Sequence, residues 1–143
     1  MDWIYQQSTA NLYHQPSDAL GGGPPQLISR GGPSQYAGQN DGLNNPNNQN
    51  VVGRLGGNGG PPPQGTYSIG PQQDNQTNDG RTLRASIRLT PDPATEMFRR
   101  AGFIIHGDNR NGDQSASEGG PIIPLNIRNQ IGRSNDKVFR VVR

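Results

Sequence analysis

The chain contains no cysteine. That excludes disulfides and thiolate zinc sites, and it removes the side chain on which thioester chemistry depends. Lysine occurs once against twelve arginines. The arginines are scattered, and no basic run with interleaved aromatics is present, so a nucleic-acid interface is not expected. Scattered guanidinium groups suit carboxylate or phosphate contacts, and they serve solubility equally well. Apolar residues make up 28% and aromatic residues 6% of the 143 positions, so the core must be small. No stretch approaches the ~20 apolar residues of a membrane-spanning helix. The opening Met1-Asp-Trp-Ile-Tyr-Gln-Gln has neither a basic start nor an apolar run, so no secretory signal is expected, and another machine would have to export the chain. Net charge is only +2, unlike the high charge that usually accompanies low hydrophobicity in disordered chains.

Glycine (21) and proline (13) are abundant, and they divide the chain unevenly. Trp3-Ile-Tyr-Gln-Gln and Asn11-Leu-Tyr-His alternate around Ser8-Thr-Ala. They predict an N-terminal β-hairpin over 1–14 with Trp3, Tyr5, Leu12 and Tyr13 as its apolar load. Residues 15–64 are dominated by Gly, Pro, Asn and Gln, with short strands expected only at Gln26-Leu-Ile-Ser and Gln35-Tyr-Ala. From residue 65 onward the apolar periodicity strengthens. Gly65-Thr-Tyr-Ser-Ile-Gly reads as a strand, and 72–81 as a polar loop. Thr82–Leu89 alternates, with Leu83, Ala85, Ile87 and Leu89 on one face and Arg84 and Arg88 on the other. A helical turn is expected at Ala94–Arg100 after Pro93. Phe103-Ile-Ile-His reads as a buried strand. A short helix is expected from Pro124 to Ile131, stopped by Gly132, and a last strand from Lys137. The expected fold is one mainly β domain over 1–143, sandwich- or barrel-like, with one or two short helices and long Gly/Pro/Asn-rich loops.

The chemistry-bearing stretch runs from Phe103 to Gly120. His106 closes an apolar run, and Ser115-Ala-Ser-Glu-Gly-Gly forms a small-residue turn after it. A base at a strand end and a nucleophile on a tight glycine turn are how acyl-transfer sites of the cysteine–histidine type are laid out. Ser115 and Ser117 are the nearby hydroxyls that could replace a thiol; a serine in such a turn also serves the turn itself. Gly119 and Gly120 could offer backbone N–H donors to an oxyanion. Asp108, Asp113 and Glu118 add carboxylates near His106, without the fixed spacing of a metal site. Arg84, Arg88, Arg99 and Arg100 are candidates for holding a substrate carboxylate.

Three stretches, in order, carry a resemblance: Tyr36-Ala-Gly-Gln-Asn-Asp-Gly-Leu-Asn-Asn-Pro, Gly60-Pro-Pro-Pro-Gln-Gly-Thr-Tyr-Ser-Ile-Gly and Gly102-Phe-Ile-Ile-His-Gly-Asp-Asn. Together with the Trp3-x-Tyr-x-Gln-Ser-Thr opening, the chain resembles the type VI secretion L,D-transpeptidase effectors. That resemblance implies an L,D-transpeptidase-like fold with a catalytic-like half over 65–143. It also implies an antibacterial toxin injected into the periplasm of a target cell, where it cleaves peptidoglycan tetrapeptide stems or exchanges their terminal D-alanine. Stem peptides, an immunity protein and the secretion machinery are the implied partners, and no cofactor is implied. In the family, a histidine precedes Ser-x-Gly-Cys. His106, Ser117 and Gly119 match, and Gly120 stands where the cysteine would be, followed by Pro121. Asp108, Ser115 and Arg88 are the expected substrate contacts. A non-catalytic descendant that binds stems or a partner is the alternative.

Overall fold

The computed structural model describes residues 2–15, 23–31, 46–50, 60–76, 80, 82–100, 102–107 and 120–143. Seven strands form one mixed sheet: β1 (Asp2–Gln6), β2 (Leu12–His14), β3 (Gln26–Ser29), β4 (Gly65–Gln76), β5 (Thr82–Pro91), β6 (Ile104–Ile105) and β7 (Val138–Val142). Their order is β3-β2-β1-β7-β4-β5-β6. One helix, α1 (Leu125–Arg133), precedes β7. The mainly β expectation therefore holds. No described helix is long and apolar enough to cross a membrane. The second expected strand of the loop-rich segment, Gln35-Tyr-Ala, lies outside the described residues.

The expected hairpin forms, with Trp3 opposite His14 and Tyr5 opposite Leu12. Its first strand then pairs in parallel with β7, so the first and last strands lie side by side at the centre of the sheet. Alternation decides which face is dry. Phe139 and Val141 are buried on β7, Tyr67 and Ile69 on β4, and Ile87 and Leu89 on β5, with Arg140, Ser68 and Arg88 exposed between them. Register stacks these side chains into a row, because Phe139 pairs with Trp3 on one side and Tyr67 on the other. Tyr5 stacks on Phe139 with centroids 6.2 Å apart, and Tyr67 meets Phe103 edge-on at 6.4 Å. Few aromatics suffice because most sit at this one seam.

Three sequence expectations are corrected. β4 does not stop before Gln72 but runs to Gln76. Its polar end lacks apolar alternation and is held instead by side-chain hydrogen bonds to β5. Asn75 Nδ2 donates to Ser86 Oγ at 2.9 Å, and Ala85 N–H donates to Asp74 Oδ1 at 3.0 Å. The register shifts on β4 between Ile69 and Gln72 and between Gln73 and Asn75, and Ala85 takes φ +49 on the facing strand.

The stretch Ala94–Arg100 makes turns rather than a helix, with Phe98 at φ +52 and Arg99 at φ +64. Two consecutive left-handed residues reverse the chain and turn Arg100 inward.

Helix α1 passes through Gly132 instead of stopping there. A Cβ at 132 would overlap the Gln72 side chain, so this glycine allows α1 to lie close on β4.

Arg100 organises the proline segment. Proline has no N–H, so Pro61–Pro63 cannot join a ladder. Their carbonyls are taken up one by one by side chains. Arg100 Nη2 donates to Gly60 O at 2.7 Å and Nη1 to Pro61 O at 2.6 Å. Gln7 Nε2 donates to Pro62 O at 2.7 Å, and Tyr67 OH donates to Pro63 O at 2.7 Å. Arg100 also donates to Gln49 O and lies 4.9 Å from the Phe103 ring centroid. Burial lowers its pKa to about 10, a fall that the nearby Tyr67 partly opposes. Burial raises that of Tyr67, partly offset by Arg100. Arg100 is thus a structural clamp and is not available for a substrate carboxylate.

Candidate functional site

Apolar residues Phe103, Ile104 and Ile105 carry β6 into the core, and His106 follows at its end, 4% exposed. The segment after residue 119 runs back beside it. His106 N–H donates to Pro121 O at 3.0 Å, and Ile123 N–H donates to His106 O at 2.9 Å, closing a parallel bridge between His106 and Ile122. Pro121 does not interrupt this pairing, because the bridge uses only its carbonyl. Ile122 and Ile123 are both buried.

His106 Nδ1 lies 2.7 Å from Gly107 O. A carbonyl can only accept, so Nδ1 carries a proton and the ring is oriented by that bond.

The position that the resemblance aligns with a cysteine is closed. Gly120 is buried, and a Cβ built on it would overlap the backbone carbonyl of Ile104. The obstacle is main chain in a paired strand, not a side chain that can turn away. Gly120 therefore follows from the close approach of the two segments, and a thiol there would have to push them apart.

Of the sequence-derived site residues, His106 and Gly120 are brought together, two segments apart but joined through Pro121. Asp108, Ser115, Ser117 and Gly119, with Asp113 and Glu118, lie outside the described residues. Arg88 is exposed on β5 opposite Ile104 and makes no side-chain hydrogen bond or ion pair among the described residues. No group of three His, Asp or Glu that could hold a metal occurs among the described residues.

Two further residues stand beside His106, and sequence reasoning passed over the first of them. Arg128, on α1, is 7% exposed. Its Nη1 donates to Ile123 O at 2.7 Å and its Nε to Ala85 O at 3.1 Å. The bulged conformation of Ala85 leaves that carbonyl to side chains, and Gln72 Nε2 donates to it as well, at 3.2 Å. Burial lowers the pKa of Arg128. Gly107 is the second residue: a Cβ there would stand 2.7 Å from Arg128 Nη1, so glycine is what lets the guanidinium lie against the strand end. The helical period offered a signal, since Arg128 is one turn before the fully buried Ile131 and shares its inward stripe.

Protein-family models, curated proteins and solved structures all fail to match this chain.

Proposed function

We propose that the chain is a type VI secretion effector-like domain of the L,D-transpeptidase kind that engages peptidoglycan tetrapeptide stems in the periplasm of a target cell, without thioester chemistry. The motif order and the His106-to-Gly120 layout support the family. The observation that carries the loss of chemistry is Gly120 packed on the Ile104 carbonyl, which leaves neither a thiol nor room for one. What remains is a buried imidazole and a buried guanidinium either side of Gly107, and a guanidinium is the group suited to a peptide carboxylate. An immunity protein and a secretion partner belong to this reading.

The orientation of His106 favours a second reading, in which a serine, Ser117 or Ser115, replaces the thiol. Ser-based transfer needs a base held in place by a second group, and His106 Nδ1 bonds the Gly107 carbonyl.

Co-sedimentation with purified peptidoglycan sacculi tests the first reading. The protein should pellet with sacculi bearing tetrapeptide stems and stay in solution with sacculi stripped of stems. Equal recovery from both would count against stem recognition. The serine reading requires loss or exchange of the terminal D-alanine that disappears in His106→Ala.

A further inference from the structure

We propose that Arg128 and the first turn of α1 form a binding site for a carboxylate, and that this carboxylate is the C-terminal group of a short peptide ending in a small aliphatic residue. The last clause rests on the stem-binding reading above; the carboxylate site itself does not.

Arg128 is the fourth residue of α1, and helical side chains tilt toward the helix start. Its bond to Ile123 O fixes that direction, bringing the guanidinium to the N-terminal end of α1. Three features there favour an anion. The first turn contains no acidic residue, and Pro124 at the cap supplies no side-chain acceptor. The helix dipole presents its positive end at the same place. Arg128 is more than nine-tenths buried yet has no carboxylate partner among the described residues, and its Nη2 makes no hydrogen bond among them.

Arg100 supplies the contrast. It is equally buried, but its two terminal nitrogens are spent on three carbonyls, and its remaining Nε is sealed from solvent. Arg128 keeps one terminal nitrogen without a hydrogen bond among the described residues. A guanidinium removed from water without a counter-charge is costly, and a bound carboxylate relieves the cost with a charge-assisted hydrogen bond. Leu125 opens the same turn at 52% exposure, so an apolar side chain borders the cationic end. That pairing fits a carboxylate carried on a residue such as alanine.

The test follows the Arg128 Nε–H resonance of the ¹⁵N-labelled full chain during titration with N-acetyl-D-alanine and, separately, its C-terminal amide. The acid should shift the resonance saturably and bind at least about tenfold more tightly than the amide, the size of one charge-assisted hydrogen bond. Arg128→Lys should reduce the preference for the acid. Equal effects of acid and amide on the unaltered protein, or no effect of the acid on Arg128, overturn the proposal without relying on any variant to fold. A tetrapeptide muropeptide titrated in parallel separates the two readings. Acid binding at Arg128 without muropeptide binding keeps the carboxylate site and sinks stem recognition. Muropeptide binding without acid preference does the reverse.

Discussion

Gly120 rests against the carbonyl oxygen of Ile104, two residues before His106, so closely that no side chain can be built on it. The position that the proposed family resemblance aligns with a cysteine is therefore filled by main chain. The segment of Gly120 packs directly on the segment that carries His106.

Placing a cysteine at position 120 should consequently fail to create an active site. Gly120→Cys, and Gly120→Ala as a control, are expected to lose about 1–3 kcal/mol by overpacking. Chemical denaturation would measure this. Neither variant should release D-alanine from tetrapeptide muropeptides. A Cys variant as stable as the parent and active on muropeptides would show that the site opens readily.

Arg100 should be intolerant of replacement. In Arg100→Met the carbonyls of Gln49, Gly60 and Pro61 lose the donor that they share. Each orphaned buried acceptor costs ~1–3 kcal/mol, so a loss of at least about 3 kcal/mol is expected in urea unfolding. Arg100→Lys should rescue little, because one ammonium cannot span the acceptors that the planar fork reaches. A variant within 1 kcal/mol of the parent, as an approximate bound on an ordinary surface substitution, would refute the clamp.

The strands were legible where apolar residues alternate: Ile87 and Leu89 around Arg88, Phe139 and Val141 around Arg140. The hairpin was legible from its two aromatic-bearing runs. The polar end of β4 was not, because Gln72–Gln76 holds its place through side chain–backbone bonds that leave no hydrophobic period. Nor was the clamp: Arg100 reads as a charge in a solvated turn until Phe98 and Arg99 adopt left-handed conformations. At the candidate site, His106 was legible as a buried strand-end histidine. Arg128 was hidden because an arginine on a nine-residue helix reads as a surface charge. Only the bulge at Ala85 and the bare Gly107 reveal why it is buried.

Tyr67 should titrate late. Its folded pKa is raised above the ordinary 10.0 by burial. The contribution of its phenol to stability is then complete below pH ~10 and is lost as pH rises beyond the unfolded value. Arg100 acts with the opposite sign, since burial lowers its folded value to about 10, below that of an ordinary guanidinium. The stability difference between the parent and Tyr67→Phe isolates the tyrosine. It should shrink as pH is raised above 10, an approximate threshold set by the unfolded phenol. Phenolate absorbance should show a late phase that is missing in Tyr67→Phe. A pH-independent difference would contradict this assignment.

The aromatic seam should dominate the core. Phe139 is fully buried between Trp3 and Tyr67, and Phe139→Ala should cost ~3–5 kcal/mol. Leu125 is half exposed, and Leu125→Ala should stay within about 0.5 kcal/mol. Thermal unfolding of the two variants side by side checks the contrast. Similar losses would mean that the seam is not the centre of the fold.

The most direct test of stem recognition without thioester chemistry is calorimetric titration of the protein with a purified tetrapeptide muropeptide, followed by mass analysis of the recovered ligand. Saturable binding with the ligand mass unchanged is the predicted result. Recovery of a muropeptide lacking its terminal D-alanine, or carrying another D-amino acid in its place, would contradict it, and so would the absence of binding.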